Sequence, residues 1–265
     1  MVLRYILAAL VLVISLQANT IKLSDKDAIY IANKVWQNEG AGLDKYLVWW
    51  NDGEDFASLG IGHFIWFPAN HTERFREVFP MVLEYMQSQN VAMPHWLTPQ
   101  SDFPWSSKKA FLWAKKTNSK RYKELFDFLK RTKAYQARFM AIRLQNALPQ
   151  MLSSIKDSKK ASIIKERFNK MLYNGTKIDK RGLYILIDYV NFKGEGTLKS
   201  ERYHGKGWGL MQVLWHMDMS EPNKYKAFAN SAKQMLDRRI KNSPPSRGES
   251  RWRKGWFKRL DTYYK

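Results

Sequence analysis

The chain has 265 residues, 45% of them apolar, a formal charge of +21 and no cysteine. That length and apolar share support a real core and exclude a disordered chain, while the lack of cysteine excludes disulfides and lipid attachment at a cysteine, leaving stability to packing. The positive charge favours acidic partners such as nucleic acid, anionic lipid or an anionic wall polymer.

In chain order, residues 1–18 carry one basic residue, Arg4, an apolar stretch from Ile6 to Leu16 and the small Ala18. This pattern predicts a secretory signal peptide, with the remainder, 19–265, as one exported domain. Export points to the periplasm if the source is Gram-negative, and it argues against nucleic acid as the partner. No later segment reaches the ~20 apolar residues of a membrane span, so no span is expected after cleavage. A monomer is expected.

Ser24, Asp25 and Asp27 mark a helix start, and Ala28, Ile29, Ala32, Val35 and Trp36 follow helical spacing. Glu39 continues that apolar face at the helix end, which Gly40 and Gly42 are expected to stop. From Tyr46 to Trp66, aromatic and β-branched residues broken by Asn51, Asp52, Gly53, Gly60 and Gly62 predict a small hairpin or meander.

Beyond Pro68 the pattern turns helical, with Phe75, Val78, Phe79, Val82, Leu83 and Met86 in one stripe and a loop over 93–105. Further helices are expected at about 107–116, 119–148, 157–173, 180–192 and 224–241, the basic 119–148 stretch having room for two. Neither a repeat nor a low-complexity linker occurs. The expected architecture is α+β, predominantly α, with a small β element near its start.

Glu39, Asp52 and Ser58 are the leading chemical constellation. A carboxyl at the end of a buried helix face is pushed toward its protonated form and can serve as a general acid. Asp52, on a glycine-flanked turn, would stay ionised, and Ser58, six residues on, could hold a water. Two carboxyls in unlike environments suit glycoside cleavage. Glu54 and Asp55 read as solvated turn residues.

The order Asn38-Glu39-Gly40, Tyr46, Asp52, then Ser58-Leu59-Gly60-Ile61-Gly62-His63 resembles the active-site signature of the phage-type lysozyme family. There a Glu-Gly ends the first helix, and an Asp, a Thr and Gly-x-Gly-His follow in a small sheet. The interval of thirteen from Glu39 to Asp52 is longer than in that family, and Ser replaces Thr. Downstream, Leu186 to Phe192 followed by Gly194-Glu195-Gly196 is similar to the family's central helix and the turn after it. Pro245-Ser246-Arg247, Arg251 and Gly255-Trp256-Phe257 are similar to its close. Residues 68–180 would then be a helical expansion. The resemblance implies a lysozyme-like fold, cleavage of the β-1,4 bond between N-acetylmuramic acid and N-acetylglucosamine in peptidoglycan, and structural roles for Gly60, Gly62 and His63.

A second element competes. Gly209-Leu210-Met211-Gln212 resembles the Gly-Leu-Met-Gln motif of soluble lytic transglycosylases and goose-type lysozymes, whose catalytic Glu lies a similar distance upstream. Glu195 is fourteen residues before Gly209, although Gly196 stands where that family has Ser. Glu195 is therefore the alternative acid, and hydrolysis and transglycosylation both stay open. So do a non-catalytic wall-binding protein of this fold and a glycosidase acting on chitin or chitosan.

Tyr46, Trp50, Trp208 and Gln212 are the expected substrate-binding residues, although tryptophans are often simply core. Arg247, Arg251, Arg253, Lys254, Lys258 and Arg259 read as a basic face able to hold an anionic wall. The five histidines have no metal-ligand spacing, Ser58 lacks a nucleophile elbow, and Gly205, Gly207 and Gly209 do not complete a phosphate loop. No metal or other cofactor is indicated.

Overall fold

The computed structural model describes residues 21–69 and 77–265; the expected signal peptide, Phe75 and His71 lie outside that range. Helix α1 (Asp25–Gly40) starts as its sequence dictates, the Ser24 hydroxyl accepting the Asp27 amide at 3.2 Å. It buries Ala28, Ile31, Ala32, Val35 and Trp36. At its end Gly42 (φ +71°) acts as expected, its amide donating to the Trp36 carbonyl at 3.2 Å, but the residue before it, Ala41, is left-handed as well (φ 51°). Gly40 serves a different purpose: a Cβ there would stand 2.3 Å from the Trp36 ring, so glycine lets that indole fold over the last turn.

A three-stranded antiparallel meander follows, β1 (Val48–Trp49), β2 (Ala57–Leu59) and β3 (Phe64–Trp66), in sheet order β1-β2-β3. Its register pairs Trp49 with Ser58 and Ser58 with Ile65, so these three side chains share a face. Helices α2 (Phe79–Ser88), α3 (Lys108–Lys116), α4 (Lys120–Arg131), α5 (Lys133–Ser153) and α6 (Ser158–Leu172) come next. The 119–148 stretch is two helices, divided at the buried Thr132, whose hydroxyl satisfies the Phe128 carbonyl at 2.7 Å.

A short antiparallel pair, β4 (Tyr173–Asn174) and β5 (Lys177–Ile178), leads into α7 (Lys180–Lys193), buried continuously from Gly182 to Val190. A helix buried on every side belongs at the centre of a core, here with one charged residue, Asp188, enclosed in it. Helix α6 approaches it so closely that a Cβ on Gly182 would stand 1.7 Å from the Met171 carbonyl oxygen. The pair β6 (Arg202–Tyr203) and β7 (Lys206–Gly207) precedes α8 (Leu210–His216), α9 (Lys224–Asn242) and α10 (Arg253–Asp261). α8 and α10 were not anticipated.

The described chain is 61% helical and 7% strand, so it is α+β with helix dominant. One hydrophobic cluster runs from Ile21 to Tyr263. α5 packs against both α1 and α7, so the middle segment supplies this core rather than standing apart from it. Among the described residues no helix is long and apolar enough to cross a membrane.

Candidate active site

Glu39 lies in the last turn of α1 with its side chain 14% exposed. Its Oε1 accepts from Arg259 Nη2 at 2.6 Å and from Asn191 Nδ2 at 3.1 Å, and its Oε2 is 3.8 Å from His63 Nδ1. Arg259, on α10, also forks onto the fully buried Asp188, at 2.9 Å from Nε and 2.8 Å from Nη2, and the Tyr263 hydroxyl donates to the same carboxylate. Burial pushes the Glu39 carboxyl up, but the charge of Arg259 and the hydrogen bonds from Arg259 and Asn191 outweigh it. Glu39 is thus held below the usual glutamate range, as an anion rather than the proton-holding acid expected from its place on the helix. Arg259, expected on a solvated basic face, is a buried counter-ion.

The Gly60–His63 turn, joining β2 to β3, is built against this cluster. Gly60 has φ +68°, and a Cβ on it would stand 2.3 Å from Gln136 Oε1, the buried α5 atom that accepts the Ile61 amide at 2.8 Å. Asn191, besides donating to Glu39, donates to the Gly62 carbonyl at 3.0 Å. His63 packs edge-on against Trp36 at 6.1 Å. Burial pushes His63 below the ordinary histidine value, against the opposing pull of Glu39, which favours a neutral ring near pH 7.

Beside this turn opens a cleft of about 270 Å³. Gly62 to Ile65 and Val78 form part of its lining, Val190, Asn191, Gly194, Glu195, Thr197, Leu198 and Glu201 another part, and Arg143 and Gln150 of α5 the rest. The Glu195 side chain is 17% exposed, with Oε1 3.8 Å from Arg143 Nη2. Glu201 Oε2 accepts the amides of Gly196 at 2.8 Å and Leu198 at 3.0 Å, shaping the loop that carries Glu195. Burial, and then the charge of Glu195, push the Glu201 carboxyl above the ordinary value despite those amides.

The Gly-Leu-Met-Gln element is packed under the same loop. The Met211 amide donates to the Glu195 carbonyl at 2.9 Å and the Leu210 amide to that of Gly194 at 3.0 Å. Gly209 is required here, because a Cβ would stand 2.1 Å from the Gly196 nitrogen. Gln212 Nε2 donates to the Gly196 carbonyl at 3.1 Å, so Gln212 holds the loop from behind and does not line the cleft.

Other expected residues fall elsewhere. Asp52 is fully exposed and held by Lys108 Nζ at 2.5 Å, which lowers its pKa and keeps it ionised. The loop bearing it closes the β1–β2 end of the sheet, opposite the Gly60–His63 turn; Phe56 to Gly60 alone spans about 13 Å at ~3.3 Å per residue. The cleft lining does not include it. Glu54 is tied in, its carboxylate accepting from Asn51 at 3.0 Å and its carbonyl from Trp50 Nε1 at 2.8 Å. Ser58 is buried on the sheet face that carries the cleft residue Ile65.

Trp50 is core, packed on Phe103 and Phe111. So is Trp208, enclosed by Tyr203 and the Arg239 guanidinium, with its carbonyl taking the Tyr189 hydroxyl. Tyr46 meets Trp49 edge-on at 4.8 Å, and its backbone bonds His63. Neither of the two indoles faces the cleft.

Arg143, Gln136, Asn191 and Glu201 are the site residues that the sequence reading missed. Among the described residues no group of three or more His, Asp or Glu could hold a metal ion. Comparison with known protein families, curated proteins and solved structures finds no match for this chain.

Proposed function

We propose that the chain is a peptidoglycan-cleaving glycosidase of the lytic transglycosylase kind, with Glu195 as its acid. The observation that carries this reading is the seat of Glu195: a carboxylate opening into a cleft, on a loop fixed by Glu201 in front and by the Gly209–Gln212 element behind. Glu195 gives its proton to the glycosidic oxygen as the bond from that oxygen to the anomeric carbon breaks. Inverting hydrolysis then needs a second carboxylate on the opposite face of the sugar to activate water. Among the described cleft-lining residues the carboxylates are Glu195 and Glu201, both on one loop, and the facing wall offers Gly62, His63 and Ile65. This supports attack by the muramyl 6-hydroxyl, whose proton returns to Glu195, giving an anhydro sugar without consuming water. Arg143 supplies donors for the polar groups of the glycan.

Glu39 supports a second reading, because two of the three groups that touch it, His63 and Asn191, line the cleft. It becomes a donor only if bound glycan draws Arg259 away. Digestion of purified peptidoglycan by the wild type, Glu195→Gln and Glu39→Gln, with mass analysis of the released ends, tests both. Anhydro ends lost in Glu195→Gln are expected. Loss only in Glu39→Gln moves the acid, reducing ends make the chain a hydrolase, and binding without release by the wild type makes it a wall-binding protein.

A further inference from the structure

Helix α3 buries Phe111 and Ala114, and on its other side Lys109, Leu112, Trp113 and Lys116 fall on one stripe at i, i+3, i+4 and i+7. The two apolar side chains are left in solvent, Trp113 at 66% and Leu112 at 48% exposure. A lysine stands one turn to either side, and none of the ion pairs among the described residues uses Lys109 or Lys116. Exposed Lys120 and Arg121 continue the positive charge into α4.

We propose that this stripe docks the protein on an anionic phospholipid surface. An indole and a leucyl side chain flanked by lysines form the pattern of a helix lying in the headgroup region, with apolar groups inserted and cations at the phosphates. A soluble polyanion would use the lysines but gain nothing from Leu112, and a second copy would set the lysines of one stripe against those of the other. The helix has nine residues, so it lies on such a surface and does not cross it. The inference does not depend on the glycosidase reading.

The test is co-sedimentation of the full chain with vesicles of phosphatidylcholine mixed with phosphatidylglycerol, against vesicles of phosphatidylcholine alone. Binding to the mixed vesicles is expected, weakening as salt is raised and falling roughly tenfold or more in the double variant Leu112→Ser, Trp113→Ser. Lys109→Glu, Lys116→Glu is expected to do the same, and it carries the test should the serine pair disturb folding as seen by circular dichroism. Trp252→Ser, at an exposed tryptophan elsewhere, should bind as the wild type. The proposal is overturned by absence of binding to mixed vesicles, by equal binding to both vesicle types, or by double variants that bind undiminished. It is also overturned if heparin binding falls as steeply as vesicle binding in the serine pair, which would make the stripe a polyanion site.

Discussion

The chain sets out the same local arrangement twice. Helix α1 ends in Glu39-Gly40 and is followed by an antiparallel meander; helix α7 is followed by Glu195-Gly196 and an antiparallel pair. Yet the first carboxylate is engaged by a guanidinium, an amide and an imidazole, while the second faces a cleft with the Arg143 guanidinium 3.8 Å away. Local sequence decides where an acid stands on its helix. What the acid can do is decided by what distant chain brings to it, here an arginine 220 positions away.

The largest effects are expected at the two acids and at the arginine that holds one of them. Glu195→Gln is expected to lower the rate of muropeptide release about 10²- to 10⁴-fold, with an unchanged urea midpoint; full release would take the chemistry away from the cleft. Arg259→Met should destabilise the fold by about 3–5 kcal/mol in urea unfolding, because it strands Asp188 and Glu39 together without a counter-charge. A loss under about 1 kcal/mol would mean that water reaches and solvates the carboxylates once the guanidinium is gone.

Gly209→Ala comes next. Its Cβ must displace the backbone of Gly196, so a cost of about 1–3 kcal/mol is expected, with release of muropeptide falling as the Glu195 loop moves. The pH dependence of stability sharpens the contrast on the Glu39 side. Glu39 binds its proton more weakly folded than unfolded, so its stabilisation is present above the ordinary glutamate value of 4.5 and is lost as pH falls through its lowered folded value. Glu39→Gln should flatten the stability profile over that acid window. Asp52→Asn, at a fully exposed ion pair, should change the urea midpoint and muropeptide release least. A strong loss of release there would return Asp52 to the chemistry.

Much of the helical layout was legible because its causes are local. Ser24, Ser107 and Asp157 cap helices as their side chains allow, and the stripe Val82, Leu83 and Met86 is buried as its spacing implies. α8 and α10 escaped because what buries them comes from distant parts of the chain. The proximity of Glu195 to the Gly209–Gln212 element was also legible, since the two are close in sequence. Arg143 was not, because nothing distinguishes it from its neighbours on a long basic helix until the fold sets it 3.8 Å from Glu195. Trp50 and Trp208 misled for a related reason: an indole suits a sugar face and a core equally well, and only burial separates the two.

The cluster around Arg259 also sets an order of events in synthesis. Glu39 and Asp188 leave the ribosome well before the guanidinium that pairs with them both, and α7 cannot bury Asp188 favourably without it. The helices made first can gather, but their shared interior closes only when α10 arrives. A nascent chain interrupted before Arg259 would therefore remain loosely assembled and open to proteases, so that α10 acts as the latch of the whole fold.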